Sequence, residues 1–331
     1  MIDPRSRARA TAIAAAVVGL VIATVVIGYF NVGAVLAAIR PIGWGGFAIV
    51  IFAQLGLFIP LGLAWWTVAP VGADRAPVFV WGRLMREAAS DILPFSQLGG
   101  LVIAARAAVL GGVSTAAAFG SSVVDITLEV VAQLIYTLVG IGLLANRFGF
   151  AAAHDRLIYS LLGGLAIAGA LVAGFILTQR RGLNIIENMV HRMAPAAAHH
   201  TTAVTRVVEA AYGRPLSLWA CLALHVAAWF GGAVGAWLIL MFIGHPLPFL
   251  AVVAIESLLF AIRNAAFMVP SGLGVQEGAY ALLGPLFGLP AEAALALSLL
   301  KRARDVAVGV PTLLSWQLVE SRRRLRERKA A

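Results

Sequence analysis

The sequence predicts an all-α protein, a polytopic membrane bundle with six full spans and two broken hairpins that enter the membrane and return. Of its 331 residues, 61% are hydrophobic and only 12% are charged, with a mean hydropathy of +0.93. Such a chain has too little polar surface to cover a soluble core. Several apolar runs also reach the ~20 residues that cross a hydrocarbon layer. Proline and glycine interrupt two further apolar stretches in a similar way.

The six spans follow one another along the chain as long apolar runs. They are predicted at about 10–30, 43–68, 121–145, 157–178, 216–243 and 291–316. The first run follows a basic start and has no convincing cleavage site, so we expect an uncleaved span and not a signal peptide. Trp44, Trp65 and Trp66 flank the second run, where aromatic side chains anchor a helix at the membrane interface.

The two hairpins are predicted at about 77–110 and 250–287, each between charged helical sequence and a long apolar helix. The predicted helix breaks are Pro94, Gly99 and Gly100 in the first, and Pro270, Gly272 and Gly274 in the second. Irregular backbone at membrane depth is tolerated only where protein or water covers it. An arrangement of six full spans with two hairpins and an arrangement of eight full spans place the termini on the same sides of the membrane. Both arrangements remain open.

The hairpins and the helices after them indicate a duplicated unit. A constant interval of 176 positions separates Pro94 from Pro270, Ser122 from Ser298 and Glu129 from Asp305. The repeats would cover about 77–145 and 250–320 within a single membrane domain, residues 1–331. Because three full spans lie between the hairpins, the second repeat would be inverted, as in many secondary transporters. A chance match between two glycine-rich apolar stretches is the alternative.

The basic residues predict the orientation. The net charge is +10, and the arginines concentrate at the start, in the polar linker 179–215 and at the tail. Under the positive-inside rule these segments are cytoplasmic, with both termini inside. The linker has the pattern of two amphipathic helices on the membrane face. The charge therefore indicates membrane orientation, and we expect no nucleic-acid partner.

Several charged residues fall inside predicted spans, where each costs about 2.5–3.5 kcal/mol at the bilayer centre on insertion scales. Asp125 and Glu129 are four apart on one helix face, and Lys301 and Asp305 repeat that spacing beside Arg302 and Arg304. These side chains must face protein or water. We expect Asp125 and Glu129 to pair with Lys301, Arg302 or Arg304; the alternative role is purely structural ion pairing.

Candidate substrate-binding residues lie on the hairpins. Arginine suits phosphate because its planar fork donates two parallel hydrogen bonds. The candidates are Arg83, Arg86, Arg106 and Arg263, with Gln97, Gln276 and Glu277 at the breaks. Interfacial snorkelling of Arg83 and Arg86, and capping of freed backbone groups by the other three, are the alternatives. No metal site, cofactor or catalytic constellation is predicted, since the linker histidines lack further ligands at suitable spacing.

The stretches RLMREAASDILPFSQLGGLVIAAR, SSVVDITLEVVAQLIYTLVGIGLL and LPAEAALALSLLKRARDVAVGVPTLLSWQLVE resemble the HpnL-like family, as do QRRGL and PSGLGVQEGAY. These are bacterial inner-membrane proteins associated with hopanoid biosynthesis, within the group that shares the flippase-type transmembrane region of lysylphosphatidylglycerol synthases. The family often carries an acid where this chain has Leu101, which leaves Glu277 as the counterpart in the second repeat. The resemblance does not include the lysine-transferring domain.

The resemblance and the charges together predict lipid translocation at the bacterial inner membrane, of a hopanoid or related amphiphile, by flippase-like alternating access. The partners expected are membrane lipids with an anionic or polar headgroup. Lipid-biosynthesis proteins and a second copy of the chain are further candidates. The alternative functions are an intramembrane lipid-modifying enzyme, which would use Asp125, Glu129 or Glu277 as acid or base, and a scaffold subunit of a biosynthetic complex.

Overall fold

The computed structural model describes residues 32–92, 96–148, 159–160, 162–176, 198–265 and 274–330. All regular structure in these ranges is helical, including a single 3₁₀ turn at Ala73–Arg75. The α-helices are α1 Val32–Val68, α2 Ala76–Ile92, α3 Ser96–Leu110, α4 Thr115–Phe148, α5 Leu162–Ile176, α6 Ala198–Tyr212, α7 Pro215–Phe242, α8 Phe249–Ala265, α9 Val275–Leu286 and α10 Ala291–Ala330.

Three of the described helices are long and apolar enough to cross a membrane: Arg40–Val68, Thr115–Arg147 and Pro215–Phe242. They confirm the second, third and fifth predicted spans. The first predicted span and the ends of the fourth lie outside the described residues, and α5 is a shorter apolar helix. The last predicted span is part of α10, whose helix does not end near residue 316 but continues to Ala330.

Each predicted hairpin consists of two helices. The first is α2 and α3, which pack closely together, and the second is α8 and α9. Residues 93–95 and 266–273 lie outside the described part, so Pro94, Pro270 and Gly272 cannot be placed. Gly274 starts α9 as its N-cap with φ +76°, a left-handed conformation that glycine adopts without steric cost.

Gly99 and Gly100 do not break the chain, and that prediction is wrong. Both lie within the continuous helix α3. A Cβ at Gly100 would lie 2.5 Å from the Ser90 Oγ and 2.8 Å from the Arg86 carbonyl oxygen, so this glycine lets α3 approach α2. A Cβ at Gly99 would meet no heavy atom within 4 Å. Close helix approach at small residues is a common device in membrane bundles.

These neighbouring glycines give a matched pair of substitutions. We expect Gly100→Ala to destabilise the protein by about 1–3 kcal/mol, because the methyl group must displace backbone of α2. Gly99→Ala should be neutral or stabilising by up to about 1 kcal/mol, since alanine favours the helix and meets open space. Unfolding in mixed micelles measures both. Equal effects of the two substitutions would contradict the close contact.

The two hairpins exchange packing partners. The first helix of the first hairpin, α2, packs on α10, while the first helix of the second hairpin, α8, packs on α4. Helices α2 and α8 each have 17 residues, and each repeat continues from its hairpin into a long helix. Reciprocal packing of this kind is what a two-fold relation between repeats requires. The inverted orientation itself stays a prediction.

The second predicted linker helix, α6, packs against the bundle and does not merely lie on the membrane face. Its Val208 and Ala211 are fully buried, in one apolar cluster with Ala117 and Ala118 of α4. The first predicted linker helix lies outside the described residues. Helix α6 therefore fixes the end of α4 that precedes its charged segment.

Candidate functional site

Six ionisable side chains from three helices meet inside the bundle, and we call them the first charge cluster. They are Arg83, Arg86 and Glu87 of α2, Asp125 and Glu129 of α4, and His225 of α7. Arg83 and Asp125 are each 2% exposed, and His225 is completely buried. Charged groups this deep in a membrane bundle must be paired with one another.

The two arginines of this cluster bind both acids of α4. Arg83 donates to both carboxylate oxygens of Glu129, with Nη1 at 2.8 Å from Oε2, and its Nη2 lies 2.8 Å from Glu87 Oε1. Arg86 Nη1 lies 2.8 Å from Glu129 Oε2 and 3.6 Å from Asp125 Oδ2. Two-pronged arginine–carboxylate pairs are the strongest of the ordinary ion pairs, so α2 is held firmly to α4.

Helix α7 completes this cluster through a histidine and a cysteine. His225 Nε2 lies 2.9 Å from Asp125 Oδ1, while Cys221 Sγ, one helical turn earlier, lies 3.9 Å from the same oxygen. His225 Nδ1 is buried without a hydrogen-bond partner. Asp125 is thus shared between the arginines of α2 on one oxygen and the imidazole of α7 on the other.

Asp125, Cys221 and His225 bring three donor atoms within 4.8 Å of one another, close enough to consider a metal ion. The surroundings disfavour one. The guanidinium groups of Arg83 and Arg86 lie 3.7 and 3.6 Å from the Asp125 carboxylate and would repel a cation there. A metal-bound histidine also almost always donates its other ring N–H to a partner, which His225 lacks.

A second buried group joins the helices of the other hairpin, and we call it the lysine triad. Lys301 of α10 bonds to Glu256 Oε2 of α8 and donates at 2.8 Å to the Tyr280 hydroxyl of α9, which in turn donates to Glu256. Their exposures are 4%, 1% and 0%. Every charged atom of the triad is therefore compensated by a direct neighbour.

The two buried groups occupy equivalent places with opposite sign. Arg83 is the eighth residue of α2 and Glu256 the eighth residue of α8, counted from the helix starts. Asp125 is the eleventh residue of α4 and Lys301 the eleventh residue of α10. In one repeat the base lies on the hairpin and the acid on the long helix, and in the other repeat these roles are exchanged.

The expected pairing between repeats is wrong. Asp125 and Glu129 bind Arg83 and Arg86 instead of Lys301, Arg302 or Arg304. Lys301 binds Glu256, Arg302 binds Glu277, and Arg304 binds Asp305. The reason is geometric: Asp125, Glu129, Lys301 and Arg302 each find the nearest opposite charge on the hairpin of their own repeat, whereas Arg304 pairs within α10.

A cavity of about 10 Å³ lies between the described helix ends that flank the two predicted hairpin breaks, and we call it the break pocket. Helix α2 contributes its last residues before the first break, α8 and α9 flank the second break, and α10 closes the remaining side. The lining residues are Asp91, Ile92, Arg263, Gln276, Arg302, Asp305 and Val306. Both interrupted hairpins therefore contribute polar groups to one space.

Two arginines at the break pocket are tied to carboxylates. Arg302 forms an ion pair with Glu277, with Nη2 at 2.9 Å from Oε2. Arg304 forms one with Asp305, with Nη2 at 2.7 Å from Oδ1. Glu277 also accepts the Gly274 backbone N–H at 2.9 Å and so caps α9. The expected capping role and an ion-pairing role are thus combined in one side chain.

Two other ionisable side chains of the break pocket, Arg263 and Asp91, form no close ion pair with a described side chain. Arg263 Nη1 donates at 3.2 Å to Gln276 Oε1, a neutral amide, and the guanidinium lies 5.7 Å from the Phe260 ring centre. Asp91 makes no ion pair with any side chain that the structure describes. Gln276 is itself fixed by Ser298, whose Oγ lies 2.9 Å from Nε2. A cation and an acid are thus both available to a polar ligand.

Of the predicted binding residues, the structure places Arg263 and Gln276 in the break pocket and Glu277 directly behind it. Arg83 and Arg86 belong to the first charge cluster, and Arg106 pairs with Glu320 at 3.1 Å. The Gln97 side chain is outside the described part. The prediction missed several residues that matter here: Glu87, Asp91, His225, Glu256, Tyr280 and Ser298.

Comparison with known families gives one decisive match. Residues 14–312 match the family described as the lysylphosphatidylglycerol synthase TM region. The chain belongs to this family. Membership in the lysylphosphatidylglycerol synthase TM region, with the spanning helices, makes this a membrane protein with a lipid-related function. No curated protein and no solved structure shows a significant match.

Proposed function

We propose that this protein, a member of the lysylphosphatidylglycerol synthase TM region family, translocates a lipid across the bacterial inner membrane. Its cargo is a hopanoid or a related amphiphile with a polar or anionic headgroup, moved by alternating access. At about 10 Å³ the break pocket has room for no more than a water molecule in this conformation, so alternating access must widen it to receive the headgroup, while the apolar tail remains in the bilayer. The observation that carries the proposal is that the helix ends flanking both predicted hairpin breaks line one polar pocket. Transporters commonly bind substrate where two broken helices meet.

The break pocket supports this role because its charges include free binding capacity. Arg263 can donate to a phosphate, carboxylate or hydroxyl oxygen by moving away from the neutral Gln276 amide. Asp91 can accept from hydroxyl or amine groups of the same headgroup. The remaining charges, Arg302 with Glu277 and Arg304 with Asp305, are paired and keep these two in place.

The outer surface supports a tail that stays in lipid. Helix α10 exposes large apolar side chains on its outward face beyond the charged segment, namely Val310, Leu314 and Leu318. A headgroup in the break pocket lies beside this helix, so its hydrocarbon chain can follow the apolar face without entering the protein. This arrangement requires desolvation of the headgroup only.

Reconstitution tests the proposal. Purified protein is placed in liposomes containing lipids whose headgroups carry a dithionite-sensitive fluorophore, one on phosphatidylglycerol and one on a polyol-bearing hopanoid. We expect the protein to expose the inner-leaflet fraction of at least one probe to dithionite. Unchanged protection of both probes would overturn the proposal. Lipid products formed by the protein in detergent, where no leaflets exist, would instead favour an enzyme.

A further inference from the structure

We propose that His225 and Asp125 together form a proton-binding site, whose loading and release drive the movement of the first hairpin. The site lies in the first charge cluster, at the contact of α2, α4 and α7, and is separate from the break pocket. The claim that the proton drives the hairpin rests on the proposed translocation. The claim that the site binds a proton does not.

The geometry leaves one atom ready to accept a proton. His225 Nε2 faces Asp125 Oδ1 at 2.9 Å, and an imidazole beside a carboxylate carries its hydrogen on the facing nitrogen. Nδ1 then has a free lone pair. That atom is buried and has no hydrogen-bond partner, although the ring is completely enclosed. Buried polar atoms without a partner are uncommon in proteins and call for an explanation.

The charge balance of the first charge cluster supplies an explanation for the unpartnered Nδ1 atom. Glu87, Asp125 and Glu129 carry three negative charges, whereas Arg83 and Arg86 carry two positive charges. With a neutral His225 the first charge cluster therefore carries one excess negative charge, which belongs to its partly exposed edge because the Glu87 side chain is 30% exposed. A single proton on the imidazole balances the cluster as a whole.

Charges from the other helices packed on α7 do not fill this role. Helices α8 and α10 contribute Glu256 with Lys301, and Arg304 with Asp305, which pair with each other. On α6, Arg206 and Glu209 are exposed. The part of α1 from Gly43 to Val68 contains no charged residue, and α7 itself adds only the Cys221 thiol.

The proton transfer involves no other chemistry. When the movement of the bundle admits water to the enclosed ring, a hydronium ion transfers its proton to Nδ1 and leaves as water, and the imidazolium stays hydrogen-bonded to the Asp125 carboxylate. On the other side of the membrane a water molecule takes the proton and leaves as hydronium. While protonated, His225 competes with Arg83 and Arg86 for Asp125, so the attraction between α4 and α2 weakens. Asp91 lies eight residues beyond Arg83 on the same rigid helix, about 12 Å along its axis. Movement of α2 therefore reaches the break pocket.

Nuclear magnetic resonance on histidine-labelled protein in nanodiscs tests proton binding directly. The chain has six histidines, and the His225 signal is assigned by its loss in His225→Gln. The glutamine amide can still donate to Asp125 but does not titrate, so the fold is preserved. We expect the His225 nitrogens to report a protonated ring in one part of the pH range over which the protein stays folded and a neutral ring in the rest. A ring that stays in one charge state throughout would overturn the proposal.

The driving role is tested with a pH gradient across the liposomes and the same two fluorescent lipids. One proton per cycle should shift the steady-state leaflet ratio by up to about tenfold per pH unit and reverse with the gradient. His225→Gln should abolish the shift, while His245→Gln, an exposed histidine just beyond α7, should not. Translocation indifferent to the gradient would overturn coupling but leave translocation standing. Absence of all translocation would overturn the proposed function. Whether His225 binds a proton would still be decided by the nuclear magnetic resonance measurement.

Discussion

Replacement of Lys301 by methionine is expected to destabilise the protein by about 3–5 kcal/mol, the usual cost of removing one partner from a buried ion pair. Methionine fills a similar volume but leaves the Glu256 carboxylate bound to the Tyr280 hydroxyl without its ion-pair partner. The measurement is reversible unfolding in mixed micelles. The double variant Lys301→Met/Glu256→Gln should recover most of the loss, because no ionised group is then left unpaired.

A matched comparison comes from the pair formed by Arg106 and Glu320, whose arginine side chain is 40% exposed. Arg106→Met should cost clearly less than Lys301→Met, since water and salt screen the half-exposed arginine even though Glu320 is only 11% exposed. If the double variant at the lysine triad were as unstable as Lys301→Met alone, the loss would come from packing and not from the unpaired charge.

Removal of either Arg263 or Asp91 from the break pocket should strongly impair lipid movement. Charge-assisted hydrogen bonds contribute about 1.5–3 kcal/mol, so Arg263→Met and Asp91→Asn are each expected to slow translocation by about 10- to 100-fold. Methionine keeps much of the arginine stem, which limits the packing change. The rate of dithionite access in liposomes measures the effect, with thermal stability as a parallel reading.

Arg147→Gln serves as the control, because this arginine is exposed at the end of α4 and remote in sequence from both breaks. It should translocate at the unchanged rate. Normal rates for both Arg263→Met and Asp91→Asn would remove the headgroup from the break pocket. The stability measurement would show whether a variant loses its translocation rate because it no longer folds. In that case Arg263→Lys, which keeps the positive charge, should retain more activity than Arg263→Met.

The helical plan was largely predictable because lipid imposes a simple rule on sequence. The length of the apolar runs correctly predicted three of the spans. Charged sequence interrupted by proline predicted the two helix pairs at 77–110 and 250–287, and the structure has them at 76–110 and 249–286. Gly99 and Gly100 were misassigned because glycine serves equally to bend a chain and to let helices approach. The sequence around them does not distinguish these uses.

The pairing of buried charges was less predictable, because helical spacing identifies a shared face but not the helix that faces it. Asp125 and Glu129 could be recognised as one stripe, yet their partners Arg83 and Arg86 were assigned to a headgroup. His225 was missed because a single histidine in an apolar run forms no pattern. The signal that could have found it is its four-residue spacing from the lone cysteine, Cys221.

The ion pairs that join each hairpin to its own following helix bear on how the chain is made. The ribosome delivers the first half of the molecule to the insertion machinery well before the second half exists. Because Arg83 and Arg86 meet Glu129 within that first half, its charges can be compensated during synthesis without waiting for later helices. Each half can thus enter the bilayer with many of its buried charges already paired, and the contacts of Arg106 with Glu320 and of Asp125 with His225 form when the halves join.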